Sequence, residues 1–207
     1  MPHPLASLVD PAHTAVVTQE CQNGVIGTEA ALPVLAEAAR VSMLPAVVRL
    51  VGEAHRHDVQ VVHCLAARRA DGRGSNSNAR LFMGVRKSPV QLLPGSHEAA
   101  LVDEIGRDES DLVSTRLHGL GPMAGTDLDA LLRNLGITTI IGVGVSVNVA
   151  ILNFAMDAVN LGYQFVLPRD AVAGVPAAYA ESVIDHTLSL LATVTDTDAL
   201  VEAWSET

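Results

Sequence analysis

Aromatic side chains are scarce in this 207-residue chain, at 3%, although 49% of it is hydrophobic, so any core must be built from Val, Leu, Ile and Ala. Basic residues are also few. Thirteen Lys and Arg stand against 23 Asp and Glu, for a formal charge of -10, and no Lys/Arg-rich run offsets this locally. The counterion release that drives proteins onto a phosphate backbone is missing, which argues against nucleic acid as a partner. The two cysteines, Cys21 and Cys64, form no metal-ligand spacing, and two thiols make no disulfide framework for a chain of this length. A reducing, cytoplasmic setting is the expectation. No apolar run approaches the roughly 18 residues needed to span a bilayer. The stretch 1–12 (MPHPLASLVDPA) lacks a basic segment followed by an apolar core, so neither membrane insertion nor export is expected.

Short β-rich runs alternate with segments of helical period, the pattern of repeated β-α units and of a parallel sheet covered on both faces. Six strands are predicted, at 13–20 (HTAVVTQE), 59–66 (VQVVHCLA), 111–117 (DLVSTRL), 137–144 (ITTIIGVG), 164–167 (QFVL) and 192–196 (ATVTD). A helix is predicted over 126–136, with Thr126 as amino-terminal cap, an apolar stripe of Leu128, Leu131, Leu132 and Leu135, and Gly136 as terminator. The expected fold class is α/β, a three-layer α/β/α sandwich around a mostly parallel six-stranded sheet, with 1–207 as a single domain. The exception is 67–95, whose ADGRGSNSNA core is polar and glycine-rich. It is longer than the roughly 12 to 15 residues of a plain loop. Such a segment reads as a lid or binding loop, or as a surface excursion or subunit contact, with a short helix near 79–85.

Ligands of an open parallel sheet bind beyond the carboxyl ends of its strands, where loops and helix amino termini converge. That rule nominates Glu20 and Gln22 after the first strand, Arg116 and His118 at the end of the third, and Ser146, Val147, Asn148 and Ala150 after the fourth. Glu20 ends a strand that should be buried, where a carboxylate is costly unless paired or used. A strand-end acid that simply meets solvent is the plain alternative.

The turn IIGVGVSVNVAI admits three readings. Gly142-Val143-Gly144-Val145-Ser146-Val147 begins like a dinucleotide fingerprint but has Val147 in place of the third glycine. Gly144-Val145-Ser146-Val147-Asn148 nearly matches a nucleophile elbow, with Asp170 and His186 following in serine-hydrolase order. In the third reading, Ser146 and Asn148 cap a helix whose free N–H groups face an anion. His55 and His57, two apart on a helix, read as exposed, and His63 as a hydrogen-bonded core histidine, so no metal site and no cofactor are expected. The two cysteines read as inert buried thiols.

These residues carry a resemblance over about 13–204. TAVVTQECQNGV resembles the first-strand signature of the isochorismatase-like hydrolase superfamily, with Glu20 where the catalytic aspartate belongs and Gln22 and Asn23 matching as they stand. The long stretch 125–174 resembles the family's helix, strand and nucleophile turn. Counting back seven residues from Asp157-Ala158 places the nucleophile position at Ala150, and counting along the third strand places the family's lysine at Arg116. The resemblance implies an isochorismatase-like hydrolase lacking the usual cysteine and assembled as a homodimer or homotetramer. It would act on a small, anionic molecule, with Glu20 as acid/base and Arg116 as anion clamp. It also implies a cis peptide at Ser146-Val147. The alternatives are a catalytically inactive scaffold that binds a ligand or partner, and a serine hydrolase using Ser146.

Overall fold

The computed structural model describes residues 5–205, so the first four residues of the stretch 1–12 lie outside it. The strands are β1 (Thr14–Gln19), β2 (Gln60–Ala66), β3 (Leu112–Arg116), β4 (Thr139–Val145), β5 (Gln164–Pro168), β6 (Val172–Ala173) and β7 (Thr193–Thr195). They form one sheet in the order β3-β2-β1-β4-β5-β7, with β6 beside the end of β4, and every pairing is parallel. Six lie where the β-rich runs predict them. The seventh, β6, is only two residues long, too short to leave a period in the sequence.

The helices are α1 (Leu5–Leu8), α2 (Asn23–Ile26), α3 (Pro33–Ala38), α4 (Leu44–Arg56), α5 (Arg80–Lys87), α6 (Leu128–Asn134), α7 (Leu152–Asn160), α8 (Ala177–His186) and α9 (Thr197–Ser205). In α4, Leu44, Val47, Leu50, Val51 and Ala54 recur at helical spacing and are all buried. They pack with Trp204 of α9 against Val16, Val61, Ile141 and Val143 on one face of the sheet. The opposite face carries α6, α7 and α8 over Ala15, Val17, Val62, Ile140 and Phe165. The α/β/α sandwich expected from the sequence is therefore present. Helix α6 follows its forecast in part: the Thr126 hydroxyl accepts from the Leu128 N–H at 3.1 Å and Gly136 has φ +72°. Leu135, assigned to the apolar stripe, is 43% exposed, because the last turn rotates it away from the core.

On the α4 face a polar chain crosses the core. Thr18 Oγ1 lies 2.9 Å from His63 Nδ1, and the Asp111 carboxylate joins His63 Nε2 at 3.2 Å to His55 Nε2 at 2.8 Å. His63 is the hydrogen-bonded core histidine expected. His55 and His57, expected to be exposed, are corrections: α4 turns His55 under the sheet edge with 26% of its side chain exposed, and His57 lies beside Trp204 with 29% exposed.

Burial pushes the His63 imidazole below its ordinary value of 6.5, against the opposing hydrogen bond and charge of Asp111. As pH falls through 6.5 the unfolded chain takes up a proton that the native state resists, so stability declines from there toward the depressed native value. The dependence of Tm on pH between about 7 and 5 should be flatter in His63→Gln than in the parent protein. Equal slopes would refute this.

Candidate active site

The strand order runs one way from β1 to β2 and β3 and the other way to β4 and β5, so a crevice opens between the ends of β1 and β4. A cavity of about 220 Å³ lies there, lined by Glu20, Ala66–Arg68, Arg116–Leu120, Ser146, Val149, Ala150 and side chains of α3 and α5. Glu20 leaves β1 with φ +52°, a left-handed backbone that side-chain-bearing residues seldom adopt. Its N–H donates to Cys64 O at 2.9 Å, which fixes the strand end against β2.

An Arg116 Nη2–Glu20 Oε1 ion pair spans the cavity floor, with the Arg116 side chain 4% exposed and that of Glu20 20%. The two residues stand on strands either side of β2. At about 4.8 Å per strand spacing the pair must bridge roughly 10 Å, which a long acid and a long base can do over the small Ala66 and Ala67 at the end of β2. Arg116 Nη2 also donates to Leu120 O at 3.2 Å, while its Nε and Nη1 are buried without an acceptor in the protein.

The other nominated residues divide. His118, Ser146 and Ala150 line the cavity; His118 is exposed at its mouth, with Cε1 2.9 Å from where a Cβ on Gly125 would sit. Gln22, Val147 and Asn148 do not line it. The buried Gln22 amide donates to Ala66 O and Ala99 O and accepts from the Ala66 N–H, so it stitches two loops together. Val147 is packed in the core on the α7 face. Asn148 turns toward Val175 O, at 3.5 Å, because Val147–Ile151 winds as a wide π-helical turn. The same turn leaves the Ser146 hydroxyl without a capping bond, against the expectation. The cis peptide is Val145-Ser146, one bond earlier than the resemblance implies.

The serine-hydrolase reading loses its partners. The Asp170 carboxylate accepts from the Thr197 N–H at 2.9 Å, and His186 is exposed at the end of α8; neither lines the cavity with Ser146. The dinucleotide reading fails as well. A Cβ on Gly142 would lie 2.2 Å from Phe165 Cζ and one on Gly144 2.3 Å from Gln19 O, so these glycines serve packing inside the sheet. Both thiols are buried outside the cavity lining, and burial pushes each up to about 12, so neither is a ready nucleophile. Among the described residues no group of three or more His, Cys, Asp or Glu is placed to hold a metal ion. No helix among them is long and apolar enough to cross a membrane.

Arg68, Gln91 and the apolar side of α5 form much of the wall; they lie in the segment 67–95 read as a lid or binding loop, although none of them was singled out by residue. The strand-end rule applied to β2 points at 66–68. The sequence does not say which of Arg68 and Arg69 turns inward, because that depends on Asp71 drawing Arg69 outward, at 2.8 and 3.0 Å.

Comparison with known proteins places this architecture. The isochorismatase domain matches residues 14–199. The chain belongs to the isochorismatase family. An uncharacterized isochorismatase family protein of Escherichia coli O157:H7 is 32% identical over 119 residues, 56% of this chain and 61% of that relative. The chain thus spans less than two thirds of that relative's length. Among solved structures, a cysteine hydrolase from Pseudomonas syringae pv. phaseolicola superposes with a TM-score of 0.85 at 21% identity, covering 96% of this chain and 95% of the other. N-carbamoylsarcosine amidase from Thermoplasma acidophilum superposes with a TM-score of 0.72 at 22% identity, covering 90% of this chain and 97% of the amidase. These structural matches show the shared fold.

Proposed function

We propose that the protein hydrolyses a small anionic metabolite by acid/base chemistry, without a covalent cysteine intermediate. The observation that carries this reading is the Glu20–Arg116 pair at the floor of a cavity whose wall has Ala150, and no thiol, where the family resemblance sets the nucleophile. Glu20 takes a proton from an attacking water as the hydroxyl adds to the substrate, then returns it to the departing group, so the carboxylate is regenerated each cycle. Arg116 holds that carboxylate in place and sets its positive charge beside the negative charge that develops.

One feature favours a second reading. The guanidinium already occupies the Glu20 carboxylate, as it would in a binding scaffold without turnover. A turnover screen over vinyl ethers, amides and ureides, run beside a thermal-shift screen of the same compounds, separates the two. Hydrolysis of at least one anionic member is expected. Stabilisation by ligands with no product formed would favour the scaffold.

A further inference from the structure

The charged residues lining the cavity are Glu20, Arg68 and Arg116, so the site is formally +1 inside a chain carrying -10. Glu20 and Arg116 neutralise each other, which leaves Arg68 as the uncompensated cation. Arg40 pairs with Glu104, Arg69 with Asp71, and Arg133 with Asp129, and the other arginines without an ion pair, Arg73, Arg80, Arg86 and Arg107, are exposed, whereas Arg68 is half-buried. Among the described residues no acid lies within ion-pair distance of Arg68. Its Nη1 donates to the neutral Gln91 side chain at 3.1 Å, and its Nε is buried without an acceptor in the protein.

Position and tethering fit a ligand-binding role. Arg68 is the second residue after β2, its N–H donates to Leu92 O at 2.8 Å, and Gln91 in turn donates to Val85 O near the end of α5. Gly119 N–H donates to Asn76 Oδ1 at 2.8 Å, closing the loop after β2 over the exit of β3. The guanidinium is therefore held between the β2 end and the α5 loop, and Arg68 lines the cavity together with Leu32, Leu35, Leu81, Phe82, Val85 and Leu120.

From this we infer that the cavity takes a small monocarboxylate whose body is aliphatic apart from its hydrolysable bond, its carboxylate on Arg68 and its hydrocarbon part against α3 and α5, and that Arg68 determines specificity. The inference rests on the cavity being the substrate site proposed above. A planar guanidinium matches a carboxylate in a two-point contact. One net positive charge suits one negative charge, because a second carboxylate would meet either Glu20 or an aliphatic wall and lose hydration without compensation.

The test is calorimetric titration of the full chain with 4-methylpentanoate, its neutral amide and 3-methylglutarate, using the parent protein, Arg68→Gln and Arg68→Lys. Charged hydrogen bonds predict that the parent protein prefers the monoacid over the amide by about 10-fold or more, and that Arg68→Gln abolishes the preference. Arg68→Lys keeps the charge but loses the fork, so it should weaken monoacid binding about 3- to 10-fold and should fold even if the glutamine variant does not. Equal binding of acid and amide, preference for the diacid, no binding of any of them, or an unchanged Arg68→Lys protein would each overturn the inference. No turnover is needed for the measurement. A protein that shows the Arg68-dependent preference yet fails the turnover screen would retain this specificity and lose the catalytic reading.

Discussion

Glu20→Gln is expected to lower kcat on an identified substrate by about 10²- to 10⁴-fold while KM stays constant or falls. Glutamine keeps the length and shape of the side chain, and its amide oxygen still accepts from Arg116, so the cavity floor retains its geometry. What disappears is the oxygen that exchanges a proton with water and the leaving group. The charge change fixes the expected direction of KM. Removing the one negative charge from a lining that also contains Arg68 and Arg116 makes the site more cationic, so an anionic substrate should bind no worse. Steady-state kinetics at saturating substrate reads both quantities at once. Full turnover by the glutamine variant would remove Glu20 from the mechanism.

Gly144→Ala should cost at least about 3 kcal/mol of folding stability, read by urea denaturation. In the β1–β4 ladder Gly144 stands opposite Gln19, and the added Cβ would fall 2.3 Å from Gln19 O and 3.0 Å from Gln19 N. Those are main-chain atoms in the middle of the sheet, and no rotamer change moves them. The backbone at Gly144 also has φ +110°, which an L side chain resists on its own account. Since Gln19 directly precedes Glu20, any shift of β1 that made room would also move the proposed acid/base. Gly52→Ala in α4 is the control. Nothing lies within 4 Å of its Cβ position, and the gain in helix propensity should stabilise the protein by about 0.5–1 kcal/mol. A mild effect at Gly144 comparable to that at Gly52 would show that the β1–β4 approach is not the constraint described.

The architecture was largely legible because it depends on local period. Buried parallel strands such as β1 and β4 read as continuous aliphatic runs, and α4 shows its buried stripe at helical spacing, so each declares itself within a few residues. The strand-end rule nominated Glu20 and Arg116, which the structure brings into contact. It also nominated Gln22, Val147 and Asn148, which do not line the cavity, since being near a strand end does not say which way a side chain turns. Gln22 is claimed by the backbone of 66 and 99, partners 44 and 77 residues away along the chain.

What the sequence determined by itself was the alternation of strand and helix, the anionic surface, the scarcity of thiols and the presence of an acid and a base at the ends of the first and third strands. Tertiary structure alone decided that these two meet across β2, that Arg68 rather than Arg69 faces the cavity, and that the glycines of the β4 turn serve close packing rather than a nucleotide. The difference is one of range. Period and composition are summed over neighbouring residues, whereas a site is made by side chains from distant segments whose direction is set by which partners compete for them.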